Sequence, residues 1–190
     1  SQKASIISAV KAYMPFVTIR HPDFECDDVI ASLVMKHHGA GDKCHIISSD
    51  SDFIQLHNIA DIVLYNPVKK KEIEKPAYDY VMWKALRGDP TDNIPGIPKV
   101  GDKTADKLMA NPLLLREFLE DPIKREIFDR NVNLIRLVDL RNAEDEMEIN
   151  VQKLDKVGLK KYFNELEFNT ITREKSWNNY IKTFERLNNE

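Results

Sequence analysis

Apolar residues change their spacing several times along the first part of the chain. Ile6, Ile7, Ala9, Val10 and Tyr13 recur at helical intervals and predict a short helix over residues 5–13. Phe16-Val17-Thr18-Ile19 is short and β-branched, stops at His21-Pro22, and predicts a strand. Val29, Ile30, Leu33, Val34 and His37 return to helical spacing, with Asp23 or Glu25 opening the helix and Gly39 and Gly41 ending it. Cys44-His45-Ile46-Ile47 is an apolar run of the kind a buried parallel strand shows. A short helix over 51–57 follows, then a strand over 62–65 that turns at Asn66-Pro67. Residues 70–73 predict an antiparallel edge strand with lysines toward water.

Strand, helix, strand, helix, strand is the order of an α/β unit with a parallel sheet. Ligands of such sheets sit beyond the carboxyl ends of the strands, here residues 21–25 and 48–52. From Pro76 the pattern turns helical. Tyr78, Val81, Met82, Ala85 and Leu86 mark a helix over 77–87, and Ala105, Leu108 and Met109 mark another from about Asp102. Pro112 and Pro122 suit the first turns of two more, the second carrying apolar residues as far as Val138. Residues 141–152 are polar and read as a linker, before amphipathic helices over 155–166 and 175–187. The expected division is therefore an α/β region, 1–75, and a helical region, 76–190.

The 190 residues are enough to bury a core, and the net charge of -3 is nearly neutral, so bulk charge does not point to nucleic acid. A basic face would have to be local and offset by acids elsewhere. Cys26 and Cys44 make neither a disulfide framework nor a zinc motif, and read as small buried apolar residues of a reducing compartment. No apolar run approaches membrane-spanning length and no signal peptide is visible, so the expected location is the cytoplasm.

The acids gather in three places: Glu25-Cys26-Asp27-Asp28, Asp50-Ser51-Asp52, and Asp89 with Asp92. The first two fall where a parallel sheet would make them neighbours. Two carboxylates about 4 Å apart repel by about 4 kcal/mol at an effective dielectric near 20, and few basic residues lie near them in sequence. Divalent metal is the simplest neutraliser, and all-oxygen ligands favour Mg2+ or Mn2+ over zinc. Taken singly, the acids of 25–28 also suit a helix N-terminus, and Asp50 and Asp52 suit helix capping. An EF-hand is excluded by Ile54 and Gln55, which stand where its loop needs an oxygen ligand and a glycine. Directly after Asp89 and Asp92 comes Gly96-Ile97-Pro98-Lys99-Val100-Gly101 and then a helix, a hairpin whose N–H groups suit phosphate.

Those three acid clusters, residues 46–56, the run Gly88-Asp89-Pro90-Thr91-Asp92-Asn93-Ile94, the hairpin 96–105 and, more loosely, 133–140 together resemble the 5′-nuclease family. That family comprises flap endonucleases, the 5′→3′ exonuclease domains of bacterial DNA polymerase I, and phage ribonuclease H-type enzymes, and the phage branch looks nearest. The resemblance implies a PIN-like parallel sheet followed by a helix-three-turn-helix region. It implies two divalent ions, Mg2+ or Mn2+: Glu25, Asp27 and Asp50 mainly on one, Asp52, Asp89 and Asp92 mainly on the other, with Asp28 beside them. Glu25, Asp27, Asp50 and Asp52 would be catalytic. Gly96, Val100 and Gly101 would shape the turn, and Lys99, Lys103 and Thr104 would contact phosphate, with K+ as a further ligand of the hairpin. The implied activity is structure-specific phosphodiester hydrolysis on DNA flaps or RNA primers during replication, and the implied partners are branched or duplex DNA with a 5′ end or an RNA/DNA hybrid.

Two departures accompany the resemblance. Lys99 stands where the family usually has the hairpin's first glycine. The family also carries an earlier strand with a metal-binding Asp and a basic helical arch, and Ser1 begins after them. The sheet is thus expected to be incomplete at its N-terminus, with an amino-terminal half supplied by a longer chain or, if the gene is split, by a separate one. A phage-encoded enzyme would act in the host cytoplasm. The alternative reading is a non-catalytic DNA-binding module that uses the hairpin alone. The polar helices of 153–189 offer either core packing or a docking surface for a replication partner.

Overall fold

The computed structural model describes residues 2–185 and 187 and divides the chain into two compact units, 24–144 and the pair of segments 1–23 and 145–190. The boundary expected at 75/76 runs inside the first of these. Residues 24–144 hold two apolar cores, one built on a sheet and one on helices, and polar contacts between them keep the region together.

The sheet core begins with α1 and β1 left aside, since Gln2–Tyr13 and Val17–Arg20 belong to the other unit. Its elements are α2 (Cys26–Gly39), β2 (Cys44–Ile47), a 3-10 helix (Asp52–Asn58), β3 (Ile62–Asn66) and β4 (Lys71–Ile73). Strand order is β2-β3-β4: β2 and β3 run parallel with Ile46 opposite Leu64, and β4 returns antiparallel with Ile73 opposite Leu64. The antiparallel edge strand is thus where the sequence pattern puts it. Ala31, Val34, Ile46, Phe53, Leu56, Ile62 and Leu64 form the core of this sheet. The short helix expected over 51–57 is a 3-10 helix, and it packs Phe53 and Leu56 inward. Cys26, expected to be buried, is exposed at the start of α2, and Cys44 is half-buried.

The helical core is carried by α3 (Tyr80–Arg87), α4 (Asp102–Met109), α5 (Pro112–Phe118) and α6 (Pro122–Ile135), with two-residue strands β5 (Gly88–Asp89) and β6 (Ile94–Pro95) paired antiparallel between α3 and α4. Asp79, Asn111 and Asp121 cap α3, α5 and α6 through their side chains, and Pro112 and Pro122 occupy first turns as expected. Val81, Ala85, Leu86, Ile97, Val100, Ala105, Leu108 and Phe128 pack together at the centre. Buried Asn131 of α6 donates to the carbonyls of Ala85 and Pro95, both at 2.9 Å, and so fixes the loop between α3 and α4 from behind.

Helix α6 stops at Ile135, three residues before its apolar pattern ends. The cause is a buried side chain from the sheet core. Gln55 donates to the Ile135 carbonyl at 3.2 Å and accepts the Leu137 amide at 3.1 Å, and Arg136 is extended. The chain leaves the helix as a strap that ends on Asp28.

In the other unit, β1 pairs antiparallel with β7 (Glu148–Val151), Val17 opposite Val151. The expectation of a parallel place for the first strand is corrected here: its partner comes from residues read as a polar linker, because a four-residue strand in that linker alternates well enough to form a ladder. Arg20 and Glu148 add an exposed ion pair across it. Helices α7 (Lys156–Glu165), α8 (Asn169–Thr172) and α9 (Glu174–Glu185) follow, and Met14, Leu159, Trp177 and Ile181 make the core they share with α1. These apolar residues of the C-terminal helices are core residues. Residue 186, within the helix expected over 175–187, lies outside the described residues. Among the described residues no helix is long and apolar enough to cross a membrane.

Candidate metal centre and hairpin

The end of β2 sets the first acids. Ser48 N still bonds Tyr65 O at 3.0 Å, so the parallel ladder runs one residue past the strand. Then Ser48 Oγ accepts the Asp50 amide at 3.1 Å and Asp50 Oδ1 accepts the Asp52 amide at 2.9 Å, which fixes a tight turn with Asp50 exposed and Asp52 half-buried. The start of α2 sets the next group. Glu25 is its N-cap residue but its side chain makes no capping bond, leaving the carboxylate free of that duty. Asp28 is engaged: Oδ1 accepts the Val138 amide at 2.7 Å. The β5–β6 turn sets the last pair. Asp89 is buried, with Oδ1 accepting the Thr91 amide at 3.0 Å, and Asn93 takes a left-handed φ of 56° that this residue type tolerates.

All seven acids singled out in the sequence, Glu25, Asp27, Asp28, Asp50, Asp52, Asp89 and Asp92, line one cleft of about 800 Å³. Asn133, Leu134, Arg136 and Val138, from the end of α6 and the strap after it, complete its lining. Within the cleft Asp52, Asp89 and Asp92 converge most closely, with one carboxylate oxygen of each within 4.8 Å of the others. Among the described residues no second group of three acids meets this spacing, so Glu25, Asp27 and Asp50 are brought to the cleft but stand further apart.

One residue of the cluster is absent from the sequence reading. Lys84, on the face of α3 that also carries Val81, is 3% exposed, and its ammonium pairs with Asp52 Oδ1 and Asp89 Oδ2. Its position three residues after Val81 is the signal available in the sequence: a lysine on a core stripe needs a buried partner. Burial works against the charge of Lys84, and the hydrogen bonds it donates to Asp52 and Asp89 outweigh it, so its pKa lies above the ordinary value. Burial likewise works against Asp89, and the bonds from Lys84 and from the Thr91 amide hold it below the usual carboxylate range. For Asp52 burial wins over Lys84, and the carboxyl is pushed up. Asp92 is also pushed up, by burial and then by the hydrogen bond and charge of Asp89. A pair in which one acid is lowered and its neighbour raised is what a cation-poor cluster of acids gives. The donor set fits a hard divalent ion: carboxylates only, convergent, and already arranged about a positive charge.

The hairpin next to the acids closes through two glycines. Gly88 has φ of 86°, and a Cβ there would lie 2.3 Å from Gly96 N. A Cβ on Gly96 would lie 2.0 Å from Arg87 O. Ile97 N bonds Leu86 O at 2.9 Å, and Val100 N bonds Ile97 O at 3.0 Å. Val100 is buried and its amide already engaged, so its part is to seat the turn in the core. Gly101, the N-cap of α4, has open space where a Cβ would be, so the turn itself does not require glycine there. Lys99, Gly101, Lys103 and Thr104 are exposed together around the N-terminus of α4. Lys99 has φ of 69°, the left-handed conformation that a glycine adopts without strain.

Residues 1–84 match the 5′-3′ exonuclease, N-terminal resolvase-like domain family. The chain is 30% identical over 191 residues to DNA polymerase I of Mycobacterium bovis, covering 87% of this chain and 21% of that protein. It is 39% identical over 95 residues to ribonuclease H of Enterobacteria phage T4, covering 48% of this chain and 31% of that one. It is 32% identical over 136 residues to a 5′-3′ exonuclease of Buchnera aphidicola, covering 67% of this chain and 44% of that one. The acid cleft lies on a mixed α/β frame, and the relatives named here include a ribonuclease H and a 5′-3′ exonuclease. The chain belongs to a 5′-nuclease family. It spans less than half the length of each of these relatives.

Proposed function

We propose that the chain carries the metal-dependent centre and the duplex grip of a structure-specific 5′ nuclease that hydrolyses phosphodiesters of DNA flaps or RNA primers during replication. The observation that carries this reading is the convergence of all seven acids on one cleft beside the hairpin. Asp52, Asp89 and Asp92 would hold one divalent ion, Mg2+ or Mn2+. Glu25, Asp27 and Asp50 would hold a second, with Asp28 behind them. Bound there, such ions lower the pKa of water and stabilise charge on a phosphate in in-line displacement. The chain's own side chains do the rest. Asp50, exposed in its turn on the lining of the cleft, would orient a water. Arg136, exposed on the lining of the cleft and without an ion-pair partner among the described residues, suits a phosphate oxygen.

The hairpin would hold duplex by its backbone. Lys99, Lys103 and Thr104 stand where the first amides of α4 lack helical partners, and open space at Gly101 lets a phosphate approach them. Such contacts read shape rather than sequence and weaken with salt. K+ on the turn's carbonyls would add to the same grip.

A DNA-binding module without catalysis remains the competing reading, and metal binding separates the two. Calorimetry is expected to give stoichiometric Mn2+ binding, and the ion held by Asp52, Asp89 and Asp92 is expected to be lost when Asp52 and Asp89 are both replaced by Asn. Absence of Mn2+ binding, with duplex affinity unchanged in that double variant, would support the module instead.

A further inference from the structure

Lys84 places an ammonium against the oxygens a metal ion would use. Its Nζ touches Asp52 Oδ1 and Asp89 Oδ2, and these residues are two of the three acids that converge within 4.8 Å. Ammonium and divalent ion are offered the same carboxylates. The lysine side chain is 3% exposed, so water does not share its charge. In the metal-free chain each side of this contact needs the other: the acids repel without a cation, and a buried ammonium is costly without a counter-ion. A divalent ion on the same oxygens would face the ammonium as a like charge at close range. Lys84 has a second seat within reach, because the Tyr80 ring lies 5.8 Å from Nζ and its face attracts a cation.

We propose that Lys84 is a displaceable internal counter-cation: it holds Asp52 and Asp89 in place while no metal is bound and must release them for a divalent ion to bind there. Lys84 is then a positioning residue that keeps the acids arranged and sets the metal affinity downward. The inference rests on the metal reading given above and goes beyond it, since it makes the lysine and the metal competitors.

The test is calorimetric titration with Mn2+ of the wild-type chain, of Lys84→Met, which keeps length without charge, and of Lys84→Gln, which keeps a donor. Both variants are expected to bind Mn2+ at least tenfold more tightly than the wild type, to melt at lower temperature in EDTA, and to gain more in Tm from Mn2+. Unchanged or weaker Mn2+ binding in the variants that fold overturns the proposal. The wild type gives an independent readout through reductive methylation followed by mass spectrometry. Lys84 is expected to be protected in EDTA and to react faster with Mn2+ bound, and equal protection in both conditions overturns the proposal. Failure of the wild type to bind Mn2+ at all overturns the metal reading itself, which separates the two failures.

Discussion

The Asp28 carboxylate accepts the Val138 amide at 2.7 Å, joining residues 110 apart in sequence. One of the acids of the cleft thereby holds the strap that lines the same cleft. This bond and the two made by Gln55 to Ile135 and Leu137 are why α6 ends where it does.

Asp28 should therefore behave differently from the acids beside it. Asp28→Ala is expected to lower stability by about 1 kcal/mol through loss of the bond to Val138, and to weaken Mn2+ binding less than tenfold. Asp28→Asn keeps an acceptor oxygen and should recover most of the stability. Thermal melts and calorimetry on the two variants check this. A drop in Mn2+ affinity as large as that of Asp89→Asn would instead make Asp28 a metal ligand.

Gly96→Ala should fail for a steric reason. The new Cβ would meet backbone rather than a movable side chain, 2.0 Å from Arg87 O and 2.7 Å from Gly88 N. The expected cost is about 3 kcal/mol or more, the upper end of what overpacking brings. Duplex binding should fall with it, because Ile97 and α4 follow directly. Gly101→Ala meets nothing within 4 Å and should leave the melting temperature nearly unchanged. Any loss of duplex affinity in Gly101→Ala would then report on ligand approach, and equal melting of the Gly96 and Gly101 variants would contradict the account.

Lys99→Gly tests the family departure. The left-handed backbone at Lys99 costs an L-residue about 1 kcal/mol, and replacing it with Gly should recover part of this. If Lys99 also touches phosphate, the same substitution should reduce the slope of log affinity against log salt by about one. Stability and duplex affinity are then expected to move in opposite directions. A variant that is less stable and binds with the same salt slope would refute both roles.

Much of this arrangement was legible in the sequence because it is local. Turn prolines and glycines marked the loops that carry the acids, the family resemblance joined Asp89 and Asp92 to the other two groups, and the edge strand β4 followed from its lysines; β1, expected to bring residues 21–25 to the same sheet edge as 48–52, pairs with β7 instead. What was not legible depends on contacts between distant residues. Lys84 lies on the core stripe of α3 in the sequence, but its partners Asp52 and Asp89 come from elsewhere in the chain. The end of α6 is set by Gln55, 80 residues earlier in the chain. The partner of β1 comes from a stretch whose polar composition hides a four-residue strand. Helical periodicity registers faces, not the side chain that arrives from elsewhere to cut the helix short.

The pKa shifts give the cluster a pH signature. In the metal-free chain Asp92 is raised above its ordinary value of 3.8, by burial and then by Asp89. The folded chain keeps this proton after the unfolded chain has released it. Its contribution to stability is therefore full below that value and is lost as pH rises through the folded pKa. Asp89 is lowered and runs the other way, its contribution present above 3.8 and lost as pH falls through its folded value. Asp92→Asn should thus gain stability relative to the wild type in EDTA as pH rises from about 4 toward neutrality. With Mn2+ present, where the ionised acid is wanted, the same substitution should be destabilising. Melting curves across pH with and without Mn2+ check the reversal.

The central claim is that these acids serve phosphodiester hydrolysis. The direct measurement is cleavage of an end-labelled 5′-flap duplex in Mg2+ by the protein, beside its Asp50→Ala variant. The expected result is Mg2+-dependent cleavage that falls by about three orders of magnitude or more in the variant, a loss of about 4 kcal/mol of transition-state stabilisation, while duplex affinity is retained. Cleavage by Asp50→Ala at the wild-type rate would contradict the account.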